Sequence, residues 1–113
     1  MSLPLVVEIY TKSAFKKSWQ LLLNRSPWDL TGYIGKLQIR DKPDGTVLLE
    51  FSTTIGNMVL NDQGVVEIAL TLGVTSVQVW NAGVWDLLLT APGQEAERVI
   101  GGTAKVIVGV TVV

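Results

Sequence analysis

Tyr33-Ile34-Gly35-Lys36-Leu37-Gln38-Ile39-Arg40, then Asp41-Lys42-Pro43-Asp44-Gly45, then Thr46-Val47-Leu48-Leu49-Glu50-Phe51-Ser52 is the stretch that decides the fold. Pro followed by Asp-Gly between two alternating runs is a strong hairpin signal in a single sequence, because Pro presets one turn dihedral and Gly accepts the conformations that side chains resist. On the first run Leu37 and Ile39 share one face and Lys36, Gln38 and Arg40 the other. On the return run Val47, Leu49 and Phe51 oppose Leu48, Glu50 and Ser52, and the first set of each pair is the expected core.

The same grammar extends in both directions. Runs at 5–10 and 15–23 precede the hairpin, separated from it by Asn24-Arg25-Ser26-Pro27. After it come runs at 57–60, 65–72, 84–90 and 97–110, parted by turns at Asn61-Asp62-Gln63-Gly64 and Ala91-Pro92-Gly93-Gln94. Val66, Ile68 and Leu70 oppose Val65, Glu67 and Ala69, and Trp85, Leu87 and Leu89 oppose Val84, Asp86 and Leu88. Between Gly73 and Gly83 the spacing of Val74, Val77 and Trp80 predicts one helical turn at 74–80, capped by Thr75 or Ser76. Gly101-Gly102 predicts a bulge or a close backbone approach in the last strand. The expectation is an all-β, antiparallel sandwich of seven or eight strands with one short helical turn, a single domain over residues 1–113.

Composition removes most site chemistries. The 113 residues include no Cys and no His, so disulfides, thiol nucleophiles, zinc fingers, imidazole bases and Ser-His-Asp triads are absent from the chain. Nine Lys and Arg against ten Asp and Glu give a net charge of −1, which argues against a dedicated nucleic-acid binder. Residues 1–40 are net basic and 41–113 net acidic, a polarity that interleaved strands can erase in space. Mean hydropathy is +0.39, yet the apolar run from Val106 to Val113 is too short to span a bilayer and follows Lys105. The start lacks a basic segment and reaches Glu8 too early for a secretory signal, so a soluble domain without membrane insertion is expected.

Each remaining candidate has an ordinary structural reading beside the functional one. Asp41, Asp44, Asn61 and Asp62 fit no calcium loop and read as turn formers. Glu50, Glu67 and Asp86 are the carboxylates for a glycosidase-type pair, against solvated strand charges. Lys16-Lys17 beside Phe15 and Trp19 reads as a strand with two dissimilar faces rather than a nucleic-acid cluster. Trp28 and Trp80 flank loops and are the candidates for a glycan platform, against capping of the core. Catalytic, cofactor and metal residues are therefore none. Ile34, Leu48, Val65, Val84, Leu88 and Ile107 fall on the outer faces, and if contiguous they form an apolar docking surface that a monomer would rarely leave open.

Asp29-Leu30-Thr31-Gly32-Tyr33, followed by 36–50, then 64–71, Gly83-Val84-Trp85-Asp86-Leu87-Leu88-Leu89-Thr90 and Gly102-Thr103-Ala104-Lys105-Val106, resembles small phage and prophage proteins with an immunoglobulin-like β-sandwich. The likeness is to the N-terminal domain of baseplate upper proteins and other tail components, and it covers about two thirds of the chain. The chain departs from that pattern at Asn24-Arg25-Ser26-Pro27, where a glycine-bearing turn is usual. The resemblance implies a non-enzymatic structural protein of a virion, made in the bacterial cytoplasm, that docks with other virion proteins and with copies of itself. It brings no catalytic residues and no cofactor. A carbohydrate-binding module of a receptor-binding apparatus is the alternative.

Overall fold

The hairpin that opens the argument forms where its turn chemistry places it. The computed structural model describes residues 5–108, and in it Asp41 N–H donates to the Thr46 carbonyl at 3.2 Å while Thr46 N–H donates to Asp41 Oδ1 at 2.8 Å. Gly45 N–H closes the inner turn on the Lys42 carbonyl, with Pro43 second and Asp44 third at φ 61°. The elements in chain order are β1 (Leu5–Tyr10), β2 (Phe15–Gln20), β3 (Leu22–Leu23), β4 (Ser26–Pro27), β5 (Ile34–Arg40) and β6 (Val47–Ser52). They continue with β7 (Met58–Leu60), β8 (Val65–Leu70), α1 (Leu72–Ser76), β9 (Ala82–Thr90) and β10 (Ala96–Ile107). The expected continuation of the last strand to Val110, and the apolar run beyond it, lie outside the described residues.

Two sheets carry the fold. One has the order β1-β10-β9-β5-β6 and the other β2-β8-β7, with β3 and β4 forming a separate two-residue hairpin. In immunoglobulin lettering the first sheet is A′GFCC′ and the second BED, so the all-β sandwich expected from the pattern is present. The inner faces are those read from alternation. Leu37, Ile39, Phe51, Leu87 and Leu89 from the larger sheet meet Val66, Ile68 and Leu70 from the smaller, all buried in one core. Trp19 of β2 lies on Trp85 of β9 with ring centroids 5.2 Å apart, and Phe15 approaches Phe51 at 6.2 Å. The Trp85 indole N–H donates to the Thr103 carbonyl at 2.9 Å, so the buried ring leaves no polar atom unpaired.

Several features differ from the pattern reading, each for a physical reason. β1 runs parallel to β10, with Leu5 opposite Gly102 and Tyr10 opposite Ile107, so the sheet is antiparallel except at this edge. The close approach expected at the Gly pair is real: a Cβ on Gly102 would lie 1.8 Å from the Leu5 carbonyl oxygen. The bulge itself falls earlier, between Arg98 and Ile100. A second bulge sets Arg40 against Val47 and Ile39 against Leu49, leaving Leu48 as the extra residue. Val47 is thereby exposed rather than buried, and Leu48 packs against the core with its Cδ1 beside Gly83. The run at 15–23 breaks at Leu21, whose N–H donates to Gly64 and whose carbonyl accepts from Trp28. Asn24 and Arg25 then turn the β3–β4 hairpin with φ 54° and 67°, the double positive φ of a type I′ turn.

The helix is also displaced. It spans Leu72–Ser76 with Thr71 as N-cap, not 74–80 with Thr75 or Ser76 as cap. Thr75 is fully buried, because its hydroxyl donates to the Ser13 carbonyl at 2.7 Å and accepts from Ser13 N–H at 3.4 Å. That clamp turns Val77 and Val79 outward, where they are 68% and 92% exposed. Thr75→Val keeps the volume but strands the Ser13 backbone groups, so it is expected to cost about 1–3 kcal/mol in urea unfolding. Val77→Ala, on the exposed side of the same turn, is expected to stay within about 0.5 kcal/mol of the parent.

Candidate functional site

The strand directions gather residues 21–33, 53–57, 61–64 and 91–95 at one end of the sandwich. Leu30 N–H reaches the Asn61 carbonyl at 3.2 Å and Thr53 N–H the Gly35 carbonyl at 3.1 Å. Entry into β5 is built by Asp29-Leu30-Thr31-Gly32. Asp29 Oδ1 accepts from the Thr31 hydroxyl at 2.6 Å and from Thr31 N–H at 3.0 Å, and Leu30 is buried in the core. Tyr33 N–H closes on the Leu30 carbonyl at 3.0 Å with Gly32 third in the turn at φ 80°, the positive φ that a type II turn requires. The turn delivers Tyr33 beside Trp28, whose indole N–H donates to the Tyr33 hydroxyl at 3.3 Å with the rings edge to face, 6.1 Å apart.

This aromatic pair lines an open cavity of about 500 Å³, floored by Leu89 and bounded by Gln94, Glu95 and Glu97. Glu97 pairs with Leu89 across β9 and β10, and Leu89 is a core residue, so a carboxylate occupies a register position on the core-facing side. Among the described residues Glu95 and Glu97 take part in none of the ion pairs, which join Lys16 to Glu67, Lys36 to Glu50, Arg98 to Asp86 and Lys105 to Glu8. Trp80 is not part of this site. It precedes β9, whereas Tyr33 lies level with the far end of that strand, which puts the two tryptophans roughly 25–30 Å apart at about 3.3 Å per residue. Trp80 packs on the core and donates to Gln78 Oε1 at 2.7 Å.

The outer apolar residues are divided rather than contiguous. Ile34 and Leu88 sit together near the loop end of the larger sheet and, with Ile55, line a depression of about 470 Å³ rimmed by Lys36 and Glu50. Below them a polar belt crosses the face. Arg40 donates to Gln38 at 2.8 Å, Gln38 to Glu50 at 2.6 Å, and Asp86 pairs with Arg98. Val84 lies level with the belt, opposite Arg40, in a second hollow that Leu88 also lines; Ile107 is opposite Tyr10 at the other end, and Leu48 is turned inward by its bulge. Val65 is on the smaller sheet, opposite Gln20. Ile55 sits in the connection after β6, where no alternation could flag it.

The carboxylate candidates are likewise not assembled. Glu50 and Asp86 flank Gln38 on neighbouring strands, while Glu67 is on the other sheet and pairs with Lys16 at 3.8 Å. Asn61 Oδ1 accepts from Gln63 and Val65 N–H groups and Asp41 from Thr46, the work of turn formers. Lys17 spans inward on β2, its ammonium 5.7 Å from the Trp19 ring centroid, while Lys16 points out. No family model matches the chain, and no curated protein is similar to it.

The Thr31 hydroxyl, and then its N–H, hold the Asp29 carboxyl below its ordinary value of 3.8. A lowered folded-state pKa contributes stability that is present above the unfolded value and lost as pH falls through the folded one. Asp29→Ala is therefore expected to be less stable than the parent at neutral pH, with the difference closing as pH falls below the ordinary value of 3.8 in acid-unfolding curves.

Proposed function

We propose that the protein is a non-enzymatic assembly module of a bacteriophage or prophage particle, of the tail or baseplate, that acts by protein–protein docking and self-association. The observation that carries the docking is the depression formed by Ile34, Ile55 and Leu88. Ile34, on the outer face of β5, and Ile55, in the connection after β6, are 55% and 56% exposed, flanked by the charges of Lys36 and Glu50. An apolar centre with a polar rim is the anatomy of an interface. The phage setting rests on the resemblance of the Asp29–Tyr33 turn and the strands that follow it.

Sedimentation velocity over a concentration series tests the reading. Self-association that weakens at least tenfold in Ile34→Lys with Ile55→Lys, with the thermal unfolding midpoint kept, is the expected result. A strict monomer at the highest concentration, combined with no retention of recombinant neighbouring tail proteins, overturns it.

A further inference from the structure

We propose that the cavity at the loop end is a carbohydrate site that accepts neutral and, better, amine-bearing sugars. It opens on the other side of the strand ends from the docking depression, adjoining it at Ala96, and does not depend on that reading. Where the sandwich opens at the ends of β5, β9 and β10, the inner face is not closed by an aliphatic plug; Tyr33, Leu89 and Glu97 stand there, beside Trp28. Glu97 is exposed at this strand end, where its carboxylate keeps its hydration only by facing an open, polar space. The cavity supplies that space, and its volume of about 500 Å³ is in the range that holds small ligands.

The lining chemistry selects among ligands. Trp28 and Tyr33 offer ring surface to the C–H faces of a pyranose, and the Tyr33 hydroxyl, already accepting from the Trp28 indole, keeps its own proton to donate. Glu95, Glu97 and the Gln94 amide accept from hydroxyls, the carboxylates with two oxygens each. A purely apolar ligand would leave these acceptors unpaired. An anionic sugar would meet two carboxylates with no cation among the lining residues. An ammonium on a sugar ring adds charge-assisted bonds to the same carboxylates, which sets the preference. The Trp28 and Tyr33 walls come from the connection between β4 and β5 and the polar wall from that between β9 and β10, two of the loops that immunoglobulin variable domains use for recognition.

The test is a titration of isotope-labelled protein, followed by NMR, with the glucosamine trimer, its N-acetylated form, cellotriose, trigalacturonate and free arginine. The expected result is saturable shifts at the Trp28 indole and the backbone of Gln94, Glu95 and Glu97, at least fivefold tighter for the glucosamine trimer than for cellotriose and absent for trigalacturonate. Gln94→Ala with Glu95→Gln, both on an exposed loop and harmless to the core, should weaken the glucosamine trimer at least fivefold. Trp28→Ala should abolish the shifts, but Trp28 also packs on the core, so the loop variant decides. The proposal is overturned if no neutral or amine-bearing sugar moves these resonances, if arginine moves them as strongly as the glucosamine trimer, or if the loop variant binds unchanged. Sedimentation of the unliganded protein is unaffected by any of these outcomes, so failure here and failure of the docking reading are distinguishable.

Discussion

The contact between Trp19 and Trp85 holds the two sheets in register. In immunoglobulin domains the strands equivalent to β2 and β9 are joined by a disulfide near the centre of the sandwich. A chain with no cysteine must hold that place by packing, and here two indoles 5.2 Å apart do so. Apolar burial is not directional, so specificity comes from the partners around the pair. Thr103 takes the Trp85 N–H, and Lys17 lays its ammonium toward the Trp19 ring. The parallel strand β1 then closes over the same region, with Leu5 against Gly102, next to the strand that receives the indole hydrogen bond.

The edges of the sandwich decide how it can meet other chains. β2 ends the smaller sheet and shows one unpaired backbone edge, a ready template for strand addition. Two adjacent lysines occupy it, one aimed inward at an edge position, which is a known guard against such pairing. At the opposite edge of the larger sheet, β6 carries the bulge at Leu48, which twists the strand and interrupts its pairing pattern. Pairing is thus hindered at one edge of each sheet, while β1 and β7 form the other two edges. On the outer face of the larger sheet, the belt of Arg40, Gln38, Glu50 and Asp86 bounds the apolar depression on one side.

The strands were legible because burial on one side imposes a period of two that no other structure shares. β5, β8 and β9 kept that period without interruption, and their inner residues are those the alternation named. Where the chain departs from the period the reading failed locally. The Leu48 bulge exchanged the roles of two neighbours, and the bulge at Val99 hid the inward position of Glu97 from any count by twos. The helix was displaced because its deciding contact, Thr75 with Ser13, joins residues 62 apart in sequence. The parallel pairing of β1 is equally non-local. Of the two loop tryptophans, Trp28 lines the cavity at the loop end, and its partner Tyr33 is five residues away, concealed because the alternation makes it the first residue of a strand.

One geometric fact links the two surfaces. Near the loop end, neighbouring residues supply both surfaces: Tyr33, Leu89 and Glu97 line the cavity, Ile34 and Leu88 line the depression on the outer face, and Ala96 lines both where they meet. Because side chains alternate across a strand, a partner seated on Ile34 and Leu88 covers one side of the sheet and leaves the other open. The shared backbone is the hydrogen-bonded centre of the larger sheet, with β9 paired on both sides, so it is held stiffly between the two surfaces. A module fixed into an assembly by its outer face would therefore still present the loop end outward, with the aromatic cavity accessible. On the two proposed readings, docking and ligand recognition would use opposite faces of the same strand ends and meet at Ala96.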